Sequence, residues 1–214
     1  MAESRSRFVK LYTYFRSSAA FRVRIALNLK GLEAEQRFVH LLRHEQADSA
    51  YRALNPQAVI PTLVHDGQAI GQSLAIIEYL EEIAPNPPLL PPAPHDRAKV
   101  RQMALTIACE VHPLCNLRVR GYLAKSMDEQ QLAAWQYHWI GTGLAAMEAM
   151  VDNSRFCFGP TPTLADICLV PQLYNARRVG LDLSPYPKLV RIEAAAYEFA
   201  AFQDAHPDKQ PDAA

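Results

Sequence analysis

Val59-Ile60-Pro61-Thr62-Leu63-Val64-His65-Asp66-Gly67-Gln68-Ala69-Ile70-Gly71-Gln72-Ser73-Leu74-Ala75-Ile76 is the stretch on which the fold reading turns. Pro61–His65 reads as a strand, Asp66-Gly67 as a two-residue hairpin turn, Gln68–Ile70 as the returning strand, and Ser73–Ile83 as a helix. Upstream, strands at Phe8–Tyr14 and Gln36–Leu41 alternate with two helices. The first, Ser18–Lys30, carries an apolar stripe of Phe21, Ile25 and Leu29 and is closed by Gly31; the second, Gln46–Leu54, is stopped by Asn55-Pro56. The order βαβαββα, in about 80 residues, implies a small mixed sheet with helices on both faces.

Downstream the pattern changes. The segment from Pro85 to Pro94 holds six of the 16 prolines, which excludes a helix interior or a central strand. Beyond it the periodicity is helical, clearest at Asp96–Ala108, Asp128–Met150, Thr163–Tyr174 and Leu189–Ala201. Thr163 reads as an N-cap with Asp166 at the third helical position, where an acid reaches the free N–H groups. The expected division is an α/β domain over residues 1–86, a proline-rich linker over 87–94 and an all-helical domain over 95–214.

The 22 Lys and Arg balance 22 Asp and Glu, and half of the 214 residues are hydrophobic, which argues against disorder and against a phosphate-backbone partner. Met1–Lys10 is polar, with no apolar stretch to serve as a signal peptide, and no run approaches the ~18 apolar residues of a membrane span. Cys109, Cys115, Cys157 and Cys168 show no C-x-x-C spacing. A cytoplasmic protein with reduced thiols is expected.

Four local features bear on chemistry. At Arg16-Ser17-Ser18-Ala19-Ala20, hydroxyls and free N–H groups meet a helix start, which suits an anion or a thiolate; the alternative is a plain helix cap. At Ile60-Pro61, a cis bond would turn backbone groups outward toward an extended, peptide-like ligand; the alternative is an edge-strand proline. Gln72-Ser73 sets an amide and a hydroxyl at another helix start, able to hold a carboxylate or simply to cap. In the helical half stand His112, Asn116, Arg118, Arg120, Arg177 and Arg178. Such arginines form a solvated face or, converging, a fork for a dicarboxylate. No G-x-S-x-G, H-E-x-x-H, P-loop or G-x-G-x-x-G occurs, the seven histidines are scattered, and no metal is expected.

Several co-linear motifs resemble one family across nearly the whole chain. Ser17-Ser18-Ala19-Ala20-Phe21-Arg22-Val23-Arg24-Ile25-Ala26-Leu27 looks like the S-S-C-x-[WF]-R-V-R-I-A-L signature of the zeta class of glutathione transferases, which includes maleylacetoacetate and bacterial maleylpyruvate isomerases. Ala53-Leu54-Asn55-Pro56 with Ile60-Pro61-Thr62-Leu63, Gln72-Ser73-Leu74-Ala75-Ile76-Ile77-Glu78-Tyr79-Leu80-Glu81-Glu82, Thr163-Leu164-Ala165-Asp166 and Asp182-Leu183-Ser184-Pro185-Tyr186-Pro187 are similar to its other motifs.

The resemblance implies a thioredoxin-like N-terminal domain joined to an all-helical C-terminal domain, with a cis proline at Pro61. It implies glutathione as cofactor, its γ-glutamyl carboxylate at Gln72 and Ser73, its cysteinyl backbone paired with Ile60 and its thiol at Ser17 and Ser18. His40, His112 and Asn116 match further glutathione contacts. The implied reaction is cis–trans isomerisation of a maleyl diketo acid by reversible thiolate addition, with Ser17, Ser18 and Arg16 in the catalytic role. Arg16, Arg118, Arg178 and Arg177 are the candidates for the substrate's charge. Arg118 tilts the expectation toward a compact diacid. The family's Cys or Thr is Ala19 here, which moves the weight to Ser17, Ser18 and backbone amides. A homodimer is also implied. The rivals are a conjugating or dehalogenating transferase and a noncatalytic glutathione-fold binding protein.

Overall fold

Asp66 and Gly67 both take positive φ, 48° and 75°, the pair of left-handed residues that a type I′ hairpin demands. In this computed structural model, which describes residues 8–213, the turn joins β3 (Thr62–His65) to β4 (Gln68–Gly71). The part of the polar N-terminal stretch that precedes Phe8 lies outside the described residues. β3 runs antiparallel to β1 (Phe8–Thr13), and β1 runs parallel to β2 (Glu33–Phe38), giving the order β2-β1-β3-β4. Leu11 lies opposite Leu63 on one side and Gln36 on the other. The expected mixed sheet is therefore present.

β2 begins at Glu33 rather than Gln36 and ends at Phe38 rather than Leu41. Its residues are exposed or half-buried, as an edge strand allows, and the apolar run that follows packs as a loop, with Val39 buried. The second expected helix is also shorter. A 3-10 turn at Glu45–Ala47 precedes α2 (Ser49–Leu54), the two separated by Asp48 in extended backbone.

α1 (Ser18–Lys30) ends on Gly31 at φ 62°, a left-handed position that costs a residue with Cβ about 1 kcal/mol or more. The expected stripe is too narrow. Phe21 and Ile25 are buried but Leu29 only partly, whereas Arg22 and Arg24 are buried. The helix packs against α3 (Ser73–Ile83) and against α9 (Ala200–Ala205), so almost no solvent face remains. Lys30, at its end, donates to Glu81 at 2.5 Å and to the Pro87 carbonyl at 2.6 Å, tying α1 to the end of α3.

The expected boundaries need correction. One compact unit runs through Pro88 and regains the chain from Phe199; the other is Leu89–Glu198. Arg24 explains the return. Its Nε donates to the Ala205 carbonyl at 3.1 Å, while its Nη atoms reach Thr13 Oγ1, the Tyr14 carbonyl and the Phe15 carbonyl. A buried guanidinium needs acceptors, and the C-terminal stretch supplies one. Asn28 donates to the Ala201 carbonyl, and Asp212 Oδ2 accepts from the Phe15 amide at 2.9 Å. The proline segment is likewise not all spacer: Leu89 and Leu90 are buried, and Leu89 accepts from the Leu164 amide.

The second unit is helical. α4 (Pro94–Leu105) runs into a π-helical turn at Thr106–Val111, followed by α5 (Leu117–Leu123), α6 (Glu129–Met150), α7 (Leu164–Arg178) and α8 (Pro187–Ala196). The expected helix Leu189–Ala201 thus splits, because the chain leaves this unit after α8. Gly143 of α6 admits the π turn: a Cβ there would collide with Val111 Cγ2. Thr163 and Asp166 form the expected capping box of α7. Among the described residues no helix is long and apolar enough to cross a membrane.

Candidate active site

Ser17 is the N-cap of α1, its Oγ accepting from the Ala20 amide at 3.2 Å. The amides of Ser18 and Ala19 find no acceptor among the described residues. A hydroxyl proton and two unclaimed N–H groups therefore stand at the positive end of the helix. Ser17 is half-buried, Ser18 buried and Arg16 exposed, its guanidinium carbon 4.9 Å from the Phe15 ring centre. Capping and anion holding are compatible here, since the cap uses a lone pair and leaves the hydroxyl hydrogen.

The Ile60-Pro61 peptide is cis. Ile60 lies just outside β3, and its N–H and C=O enter no hydrogen bond among the described residues. Its side chain packs inward with Tyr14, Phe15, Ala20, Val39 and Tyr51. What this edge offers a ligand is backbone.

α3 has Gln72 as N-cap, without a side-chain cap bond, and Ser73 as its first residue, so capping by Ser73 is not what the structure shows. Gln72 holds φ 66°, an arrangement that costs a non-glycine residue about 1–3 kcal/mol and persists where surroundings enforce it. The buried Ser73 accepts from Arg22 Nη1 at 3.3 Å. His40 sits in the same unit, its Nδ1 accepting from the Arg43 amide and its ring edge-on to Tyr14 at 5.2 Å.

In the second unit, His112 ends the π turn and Asn116 caps α5, its Oδ1 accepting from the Val119 amide at 2.9 Å. Arg118 is exposed, and no acceptor among the described residues holds it. Arg178 Nη2 donates to Asn175 Oδ1 at 2.7 Å. Arg177 is committed elsewhere: both its Nη atoms pair with Glu193, at 2.6 and 2.5 Å, so the fork that would clasp a substrate carboxylate already clasps a protein one.

Sequence reasoning missed Arg22 and Tyr51, and took Asn55 only as a helix stop. Tyr51, Asn55 and Thr62 form a buried polar network around Val59. Burial pushes the Tyr51 phenol up, against its bonds with Thr62 and Asn55. The signal available was the motif Ala53-Leu54-Asn55-Pro56, in which Asn55 alone is buried.

Residues 11–88 match the glutathione S-transferase N-terminal domain and residues 129–207 the glutathione S-transferase C-terminal domain. The chain is similar to the maleylacetoacetate isomerase of Pseudomonas aeruginosa, 47% identical over 208 residues, or 95% of this chain and 98% of that one. A solved holo maleylpyruvate isomerase, described as a bacterial zeta-class glutathione S-transferase, superposes with a TM-score of 0.93 at 45% identity, covering 96% of this chain and 100% of that one. The maleylacetoacetate isomerase of Anaeromyxobacter dehalogenans, solved with dicarboxyethyl glutathione and citrate in its active site, gives 0.88 at 46%, covering 97% and 98%. With both domain models matched and these relatives covered almost end to end, the chain belongs to the zeta class of the glutathione transferase family.

Proposed function

We propose that the chain is a glutathione-dependent cis–trans isomerase that converts a maleyl diketo acid, maleylacetoacetate or maleylpyruvate, into its fumaryl isomer in the breakdown of aromatic compounds. The observation that carries this reading is the α1 start, where the Ser17 hydroxyl and the unclaimed amides of Ser18 and Ala19 converge. Glutathione, when bound, supplies a thiolate that adds to the conjugated double bond, allows rotation about the resulting single bond and departs unchanged.

Ser17, Ser18 and the two amides hold the sulfur anion. Lowering a thiol from about 8.5 by roughly two units takes ~2.7 kcal/mol. A charge-assisted hydrogen bond of ~1.5–3 kcal/mol with a helix start of ~0.3–1 kcal/mol covers that. Ala19 contributes its N–H, so the missing family side chain is not required. Ile60 pairs with the cysteinyl backbone, and Gln72 and Ser73 take the γ-glutamyl carboxylate. His40, His112 and Asn116 remain further glutathione contacts by resemblance. Arg16, Arg118 and Arg178 neutralise the carboxylates and the enolate charge that develops. Arg177, engaged by Glu193, serves the fold instead.

The same reading makes the protein a cytoplasmic homodimer, which sedimentation at twice 24.0 kDa checks. The deciding assay incubates the protein with maleylpyruvate or maleylacetoacetate and glutathione while following diketo absorbance and free thiol. Turnover without net loss of glutathione is expected. Consumption of glutathione means conjugation, and no change in either signal means a binding protein.

A further inference from the structure

We propose that Asn55 is a positioning residue that fixes the spacing between two glutathione-holding features of the first unit, the Ile60 edge and the Gln72–Ser73 helix start; the proposal rests on the glutathione reading above. Asn55 follows α2 and is 5% exposed. Each hydrogen of its Nδ2 has an acceptor: the Val59 carbonyl at 3.0 Å and Thr62 Oγ1 at 2.9 Å. Those two residues flank Ile60-Pro61. The Tyr51 hydroxyl touches the same two atoms, at 2.7 and 2.8 Å.

The protons can be placed. A carbonyl only accepts, so the single Tyr51 hydrogen goes to Val59; the Thr62 hydroxyl then donates to Tyr51, and Thr62 Oγ1 accepts from Asn55. Every donor in this closed ring is used once. Burial raises the Tyr51 pKa, which keeps that donor protonated. A fully satisfied buried network holds its members to one geometry.

The other side of Asn55 faces the second feature. Its Oδ1 accepts from the Gln57 amide at 3.1 Å, and Gln57 Oε1 accepts from Gln72 Nε2 at 2.8 Å. A Cβ placed on Gly71 would lie 3.4 Å from Asn55 Nδ2, so the residue before Gln72 packs on the same carboxamide. One side chain thus connects the residues on either side of Ile60-Pro61 with the residues that set Gln72. A tripeptide gripped at both features senses the distance between them, whereas a ligand gripped only at Ile60 does not.

The test compares equilibrium binding of glutathione with that of cysteinylglycine, which lacks the γ-glutamyl group, by NMR titration, alongside KM and kcat for glutathione. Asn55→Asp keeps the volume and the Gln57 acceptor but removes the donor, while Tyr51 still holds Val59 and Thr62. Glutathione Kd and KM are expected to rise about tenfold, the worth of roughly one good hydrogen bond, with kcat at saturation and cysteinylglycine affinity within about threefold of wild type. Gln57→Ala, at an exposed position, cuts only the arm to Gln72 and is expected to weaken glutathione about threefold while leaving cysteinylglycine unmoved. Equal weakening of both thiols, or glutathione affinity unchanged in both variants, overturns the proposal. Should Asn55→Asp not fold, Gln57→Ala decides alone. A wild-type protein that neither binds nor uses glutathione sinks the functional reading itself, a result distinct from an active wild type with indifferent variants.

Discussion

The Arg22 guanidinium donates from Nη1 to the Ser73 hydroxyl across 3.3 Å, with both residues buried. A cation on α1 thus stands behind the first hydroxyl of α3. Its lone pair engaged, that hydroxyl keeps its hydrogen for an incoming carboxylate, and the charge behind it favours that carboxylate further. Arg22→Met should therefore weaken glutathione about tenfold or more, by the ~1.5–3 kcal/mol typical of a hydrogen bond to a charged group. Calorimetric titration checks it; affinity within twofold of wild type in a folded variant would remove Arg22 from the binding account.

Ser17→Ala removes the α1 cap and, on the proposed function, a donor to the thiolate. The cap should cost about 1 kcal/mol of stability. Losing the donor lets the bound thiol drift back toward its ordinary range, so the ascending limb of the rate–pH profile should move to higher pH, and the rate deficit at neutral pH should shrink on going alkaline. Thiolate absorbance titrated with glutathione bound reads the shift directly. An unmoved limb would mean that the amides of Ser18 and Ala19 hold the anion alone.

Arg118→Ala should lower kcat/KM for maleylpyruvate by about 10- to 100-fold, and for maleylacetoacetate by less, because loss of a guanidinium fork is felt most by a compact diacid. Parallel assays with the two acids decide it. Equal losses would leave Arg118 general to the reaction rather than selective.

Asp166 lies fully buried and accepts from the Cys157 amide at 2.7 Å, and from the Thr163 amide and hydroxyl, each at 2.8 Å. Asp166→Ala orphans these donors and should destabilise the fold by about 3 kcal/mol or more. Burial lifts its carboxyl above the ordinary 3.8, against the pull of those bonds. A carboxyl whose folded pKa exceeds its unfolded one contributes most below the unfolded value, and that share is lost as pH rises through the folded one. The advantage of wild type over Asp166→Ala in denaturant midpoint should accordingly narrow from pH 4 toward pH 7; a widening would reverse the sign of the shift.

Alkylation should separate the four thiols. Cys109 is exposed, Cys157 and Cys168 are buried, and desolvation pushes the Cys115 thiol up to about 11. With iodoacetamide near pH 8, label should appear at Cys109 first, as peptide mass spectrometry would show; first labelling of Cys157 or Cys168 would point to opening of the second unit.

What the sequence made legible follows from how local each signal is. Gly31, Asp66-Gly67 and the Thr163–Asp166 capping box are decided by a few adjacent residues, and each stands where expected. β2 was displaced because Glu33–Phe38 has no alternating apolar face, while Val39 and Leu41 beside it are apolar for packing reasons of their own. Of the proposed site, Ser17, Ile60, Gln72 and Ser73 stand out locally, as hydroxyls and an amide at helix starts and a residue before a strand-opening proline, with capping or an edge proline as the alternative; the motif resemblance is what assigns them to glutathione. Asn55 and Arg22 stayed hidden because their meaning is tertiary. A polar side chain beside a proline reads as a helix stop until Val59, Thr62 and Gln57 are seen around it.

The return of the chain from Phe199 gives vectorial synthesis a particular order. Acceptors for Arg24 and for the Phe15 amide come from Ala205 and Asp212, so the whole of Leu89–Glu198 must leave the ribosome before the turn ahead of Ser17 acquires its final braces. During translation the helical half can mature first and wait for its neighbour. A gene fragment cut within the proline segment would encode a sheet in which Thr13, Tyr14 and Phe15 still accept from the Arg24 Nη atoms but its Nε has lost the Ala205 carbonyl.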